Sequence, residues 1–189
     1  MVMPTIGVLA LQGDFREHRR MLEGLGVSTR EIRAPEDLDG LDGVVVPGGE
    51  STTIGKLASR FGLIEPLRQA ITAGLPTYGS CAGLIFCAMA VTEGEQPLLA
   101  VLDVIVERNA FGRQNQSFEH DIAITGMDAP FHAVFIRAPW VAKVGHGVEV
   151  LAAVEEHPVM VRQANIIGTS FHPELTGDTR VHRMFLEMI

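Results

Sequence analysis

The sequence predicts a three-layer α/β fold, a doubly wound and mostly parallel sheet with an antiparallel extension in its second half. Three observations point there. In the first half, short apolar runs alternate with helical patterns across Gly/Pro turns. Those runs are continuously apolar rather than alternating, which is the pattern of strands buried on both faces. From about residue 99, strand-like runs follow one another with little helix until the end.

Taken in order, Ile6–Leu11 reads as a strand and Asp14–Leu25 as a helix closed by Gly26. Val27–Ile32 is a second strand, and Gly43–Val46 a third that stops at Pro47-Gly48-Gly49. Helices are expected from about Thr52 to Arg60 and from Leu63 to Ala73, the latter capped by Gly74. Leu75–Ser80 is a strand and Ala82–Ala90 a helix. In the second half Leu99–Glu107, Asp121–Ile124, Ala133–Ile136, Val148–Val154, Val159–Gln163 and Ile166–Ser170 read as strands, before a helix over Arg180–Met188. With 189 residues and no repeat or linker, residues 1–189 are expected to form a single domain.

Composition narrows the function. Hydrophobic residues are 47% and charged residues 20%, the balance of a soluble globular protein. A formal charge of −8 supplies no basic surplus to neutralise phosphates, so no nucleic-acid or anionic-membrane partner is expected. The apolar run Pro4–Leu11 has no basic region before it, is too short to span a bilayer, and reads as a buried strand. Cys81 and Cys87 are neither a C-x-x-C pair nor placed to face one way on a helix. A reduced, cytoplasmic protein is the expectation.

Three motifs carry chemistry. Leu75-Pro-Thr-Tyr-Gly-Ser-Cys81-Ala-Gly-Leu-Ile runs from strand through Gly79-Ser80-Cys81-Ala82-Gly83 into helix. A nucleophile on such a sharp turn projects from the backbone, and the helix N-terminus favours an anion and offers free N–H groups to an oxyanion. Taken alone, Cys81 fits a small buried hydrophobe equally well. A thiol nucleophile needs a base. His172 stands out in Phe171-His172-Pro173-Glu174, where Pro173 predicts an extended chain that sets Glu174 beside the imidazole. That completes a Cys81–His172–Glu174 triad. The competing reading, half a metal site, lacks a further ligand at usual spacing nearby, so no metal is expected. His18, His132, His146, His157 and His182 read as surface or packing residues, and His120 is left open. Third, Pro47-Gly48-Gly49-Glu50-Ser51-Thr52 lies at a strand's carboxyl end, where open α/β sheets bind ligands. Ser51 or Thr52 would cap the next helix. Neither a Walker loop nor a dinucleotide fingerprint is present.

In this order, the Pro-Gly-Gly loop, the Gly-x-Cys-x-Gly turn and the His-Pro-Glu end resemble the class I (triad) glutamine amidotransferases, whose fold is flavodoxin-like. Leu9-Ala-Leu-Gln-Gly13, Gly49-Glu-Ser51, Glu107-Arg-Asn-Ala-Phe-Gly-Arg-Gln114 and Phe171-His-Pro-Glu-Leu-Thr176 narrow the resemblance to the family of glutaminase subunits of pyridoxal 5′-phosphate synthases, nearly end to end. The resemblance implies that L-glutamine is held by Gly49, Glu50, Ser51, Arg108, Ile136 and Arg137. It implies hydrolysis to glutamate and ammonia through a glutamyl thioester on Cys81, with the oxyanion held by backbone N–H groups of Ala82 and of Gly49 or Gly48. Arg137 falls in the apolar pattern Ala133-Val-Phe-Ile-Arg-Ala-Pro, where an unpaired charge would be costly. The implied partner is a (β/α)8-barrel synthase subunit in a large dodecamer-based complex, and this chain itself needs no cofactor. The same triad could serve another acceptor, in histidine or purine synthesis, or the fold could belong to a catalytically silent regulatory protein with a reactive cysteine.

Overall fold

The computed structural model describes residues 3–112 and 117–189; Arg113 and Gln114 of the Glu107–Gln114 motif lie outside the described residues. The frame is a seven-stranded sheet. Its strands are β1 (Thr5–Leu9), β2 (Ser28–Ile32), β3 (Gly43–Val46), β4 (Thr77–Ser80), β10 (Glu149–Val154), β11 (His157–Gln163) and β12 (Ile166–Thr169). Their spatial order is β10-β11-β12-β4-β3-β1-β2. From β2 to β12 neighbours run parallel, and β11 and β10 add the antiparallel edge that the second half predicted.

Consecutive side chains of β3 show why its run is continuously apolar. Val44 and Val46 enter one core, with Ile54, Leu67, Leu84 and Phe86, while Val45 enters the other, with Tyr78, Phe131, Phe171 and Phe185. Successive strand residues point to opposite faces, so a strand covered on both must be apolar throughout. The first face carries α2 (Ser51–Arg60), α3 (Ile64–Thr72) and α4 (Ala82–Cys87); α1 (Phe15–Gly24) and α5 (Arg180–Leu186) add Leu22, Val181 and Phe185 to the other.

Between α4 and β10 the chain builds two small sheets. One is β5 (Ala88–Val91), β6 (Leu102–Glu107) and β9 (Trp140–Val144); the other is the pair β7 (Ser117–Ile122) and β8 (Phe131–Ile136). Here expectation fails twice. The helix expected through Ala90 ends at Cys87, because Ala88 turns extended (φ −63°, ψ 156°) and pairs with Leu102. Strand β9 has no counterpart among the expected strands; its pairing of Val141 with Val106 and Trp140 with Glu107 is a long-range contact that local periodicity does not encode.

One approach in this frame sets the position of the site. Helix α4 leaves β4 so steeply that its second residue lies on the end of β3, where a Cβ on Gly83 would sit 1.9 Å from the Val46 carbonyl oxygen. A Cβ on Gly79 would meet Gly83 at 2.7 Å. Both flanking glycines of Gly-x-Cys-x-Gly are therefore packing requirements. Gly83→Ala is expected to lose about 3 kcal/mol or more in denaturant unfolding, as overpacking against backbone does. Gly177→Ala, where an added Cβ meets nothing within 4 Å, should change stability by about 0.5 kcal/mol or less.

Candidate active site

Cys81 is the residue between β4 and α4. Its backbone is left-handed (φ 50°, ψ −102°), a region that costs a non-glycine residue of order 1–3 kcal/mol and persists only where surroundings enforce it. The enforcement is visible: the Cys81 N–H donates to the Thr169 carbonyl at 2.7 Å, its carbonyl accepts from Ile85 at 3.2 Å, and the two glycine contacts close the turn. Cys81 is 7% exposed and lines a cavity of about 610 Å³. Cys87 is wholly buried, and that burial pushes its thiol up to about 12.

His172 reaches this cavity from the segment after β12, its N–H bonded to the Val134 carbonyl at 2.9 Å. Nδ1 lies 2.6 Å from Glu174 Oε1. The pairing comes about differently from the extended chain expected. His172 is non-helical (φ −111°, ψ 84°), but Pro173–Leu175 form a 3-10 turn. Proline's fixed φ suits the first position of a helix, so Pro173 starts a turn that curls Glu174 back onto the ring. Glu174 is 6% exposed with its side chain fully covered.

A second carboxylate joins them that the motifs do not announce. Asp14, just before α1, places Oδ2 3.1 Å from His172 Nδ1. Desolvation disfavours the charged ring, but Asp14, Cys81 and Glu174 outweigh it and push His172 up to about 12. Burial acts on Glu174 in the opposite sense, and His18 and His172 overcome it to hold the carboxyl well below its ordinary range. Asp14, His172 and Glu174 also bring three possible metal-ligand atoms within 4.8 Å of one another. Sequence spacing offers no third ligand because Asp14 is 158 positions away from His172.

The Pro47–Thr52 loop faces the triad, and its glycines have distinct reasons. A Cβ on Gly48 would lie 2.5 Å from His172 Cε1, so Gly48 makes room for the imidazole. The loop is braced to the segment after β1, with the Glu50 N–H donating to Gln12 Oε1 at 2.7 Å and the Asp14 N–H to the Gly48 carbonyl at 3.1 Å. The helix cap differs from expectation. Glu50, and neither Ser51 nor Thr52, caps α2, accepting from the N–H groups of Thr52 (3.1 Å) and Thr53 (2.7 Å). Burial opposes its ionisation, but the Thr53 and Thr52 bonds prevail and lower its pKa. Two oxygens reach what one hydroxyl cannot.

Gly49, Glu50, Ser51, Cys81, Ala82, Arg108, Ile136, Arg137 and His172 all line the cavity. Gly48 and Glu174 stand behind His172 rather than on the wall. Arg108 donates to Thr52 Oγ1 (3.3 Å), Gln96 Oε1 (3.2 Å) and the Glu93 carbonyl (3.3 Å). Its loop is pinned by Phe111, which packs on Phe118, Phe135 and Trp140. Gln96 is a further member outside every motif, its Oε1 also accepting from Ser51. Arg137 corrects the sequence reading. Strand β8 ends at Ile136, and Arg137 turns out to solvent with φ 43°, so its charge carries no burial cost.

His18 and His182 are the other correction. Neither is at the surface nor mere packing: both are fully buried, and they stand behind Glu174. An amphipathic reading of α1 gives His18 no distinction from its charged neighbours.

A thiol on an enforced turn, an imidazolium beside it and a buried carboxylate behind that define a cysteine-nucleophile site on a doubly wound α/β frame. The chain belongs to the SNO glutamine amidotransferase family, whose model matches residues 8–189. It is 59% identical to the pyridoxal 5′-phosphate synthase subunit PdxT of Parafrankia sp. (strain EAN1pec), covering all of this chain and 95% of that one. The PdxT subunit of Thermus thermophilus is 55% identical, with 97% of each chain covered. A crystal structure of a glutamine amidotransferase superposes with a TM-score of 0.93 at 53% identity, again over 97% of each chain. The structure of PurLQS from Thermotoga maritima shares the fold at a TM-score of 0.70 and 15% identity, over all of this chain and 98% of that one.

The two cysteines differ enough to be told apart chemically. Iodoacetamide at neutral pH should give a single adduct per folded chain, on Cys81, with a second on Cys87 only after unfolding. Peptide mass spectrometry reads this directly, and equal labelling of both would contradict the site described.

Proposed function

We propose that this chain is the glutaminase subunit of a pyridoxal 5′-phosphate synthase, releasing ammonia from the side-chain amide of L-glutamine. The observation that carries the proposal is the Cys81 thiol on its left-handed turn, served by His172 with Nδ1 2.6 Å from a buried Glu174. Family membership and the names of the PdxT relatives support the substrate and the pathway.

Residue roles follow from the chemistry. Cys81 attacks the amide carbon as the thiolate, its proton held on His172. The tetrahedral oxyanion is met by the backbone N–H of Ala82, at the free N-terminal end of α4, and by that of Gly49 or Gly48. Nδ1 of His172 is committed to the carboxylates, so the other ring nitrogen carries the exchanged proton. It protonates the leaving ammonia, then takes a proton from the water that cleaves the thioester. Glu174 fixes the tautomer and stabilises the imidazolium, and Asp14 adds to that field. Gly49, Glu50, Ser51, Arg108, Ile136 and Arg137, which line the cavity with Cys81, are the residues proposed to hold glutamine. A free amino acid carries a carboxylate and an ammonium group, and arginine forks with carboxylate or carbonyl acceptors match that pair.

Ammonia released into water is protonated and diluted, so a synthase subunit that receives it directly is the chemically sensible acceptor. A (β/α)8-barrel synthase in a large dodecamer-based complex is the partner proposed.

The test is a coupled assay with a purified barrel synthase and its sugar phosphates. Cys81→Ala should lower glutamine-dependent pyridoxal phosphate formation by about a thousandfold or more. Synthesis from added ammonium should stay within about twofold of wild type. Glutamine use by the variant would refute the nucleophile; wild-type chain that never supports product would refute the acceptor.

A further inference from the structure

Glu174 has more neighbours than a triad needs. Behind it lies a file of buried polar side chains drawn from three separate elements: Ser80 at the end of β4, His18 on α1 and His182 on α5. Ser80 Oγ is 3.3 Å from Glu174 Oε1 and 3.5 Å from Oε2. His18 Nε2 is 3.3 Å from Ser80 Oγ and 3.4 Å from Glu174 Oε2. His18 Nδ1 is 2.9 Å from His182 Nε2. Tyr78 braces both imidazoles edge-on, with ring centroids at 5.7 and 5.5 Å, while its own hydroxyl is taken up by Thr169 at 3.0 Å.

The donor sense of this file is fixed from its carboxylate end. An ionised carboxylate only accepts, so the Ser80 hydroxyl must donate to it. Ser80 Oγ then accepts from the side chain that faces it, which is His18 Nε2–H. A second proton on His18, at Nδ1, would donate to His182 Nε2 and strand an N–H on His182 Nδ1, so Nδ1 of His18 is the bare nitrogen and accepts from His182 Nε2–H. That leaves His182 Nδ1 bare, and His182 Nδ1 is indeed a fully buried side-chain atom with no hydrogen-bond partner among the described residues. An orphaned acceptor is tolerated inside a protein more readily than an orphaned N–H. Burial pulls His182 down to about 3, so that ring stays neutral. Every hydrogen bond thus points toward Glu174, and the file terminates on the one atom that can go without a partner.

We propose that His18 is a positioning residue for the reaction: with His182 and Ser80 it forms a one-way donor chain that holds Glu174 ionised and turned onto His172. His18 touches no substrate and acts only through the carboxylate. The kinetic arm of its test rests on the glutaminase reading; the spectroscopic arm does not.

The spectroscopic arm uses the full wild-type chain labelled with 15N-histidine, the two signals being assigned through the contacts of both rings with each other and with Tyr78. His18 should carry its proton on Nε2 with a bare Nδ1, and His182 likewise. The reverse tautomer at His18, or a proton on His182 Nδ1, overturns the proposal even if every variant fails to fold. The kinetic arm uses the synthase complex. His18→Phe keeps the bulk of the ring and removes the donor, and should lower kcat about ten- to a hundredfold while KM stays within about twofold. His18→Gln, whose amide can donate to Ser80, should recover most of that loss. Equal losses in both variants, or a loss expressed in KM, would assign His18 a structural role and overturn the proposal. Full activity of His18→Phe would overturn it too, whereas a chain inactive even as wild type would count against the glutaminase reading alone.

Discussion

A buried carboxylate must be matched by donors or it will not stay charged, and Glu174 is such a group. Much of the site answers that demand. His172 meets one oxygen at 2.6 Å, Ser80 spans both, and His18 stands 3.4 Å from the second. Asp14, then Cys81 and Glu174 in return, keep His172 charged against its own burial. The imidazolium beside Cys81 is therefore a consequence of where Asp14 and Glu174 sit.

Delivering that arrangement is the task of the sheet. Parallel strands β3, β4 and β12 end side by side, with Val46 opposite Gly79 and Thr169 opposite Ser80. The nucleophile turn, the Pro-Gly-Gly loop and the His-Pro-Glu segment leave from those three neighbouring ends. The turn at Cys81 is strained, and it is held by a short bond to Thr169 and by a helix packed so closely that two glycines are obligatory. Strain at the nucleophile is stored by the packing of residues that do no chemistry.

How much of this is legible in the sequence follows from the range of the interactions. Strands β1 and β3 are clear because burial on both faces writes a near-continuous apolar run, and the motifs are clear because a nucleophile turn and an imidazole–carboxylate pair are local. What fails is non-local. Ala88–Val91 looks helical until Leu102 pairs with it, and Trp140–Val144 becomes a strand only beside β6. Asp14, Gln96, His18 and His182 acquire their places by contacts across the fold, and nothing in their immediate neighbours marks them. Glu50 reads as a ligand contact and is also the cap of α2, since a side chain at a helix N-terminus can satisfy the backbone whatever else it serves. Arg137 reads as buried because an apolar strand pattern runs through it, and one left-handed residue after Ile136 turns it to solvent.

The central claim, that the Asp14 and Glu174 carboxylates hold His172 as an imidazolium beside Cys81, is tested most directly by following the His172 ring proton through a pH titration by NMR. The charged form is favoured in the folded chain, so the stability it contributes is complete below the ordinary histidine value and is lost only as pH rises through the folded one. The account predicts no titration of His172 between about pH 6 and pH 9 in the wild-type chain. In Glu174→Gln the midpoint should move down toward that range. A wild-type midpoint near the free-histidine value of about 6.5 would contradict the account.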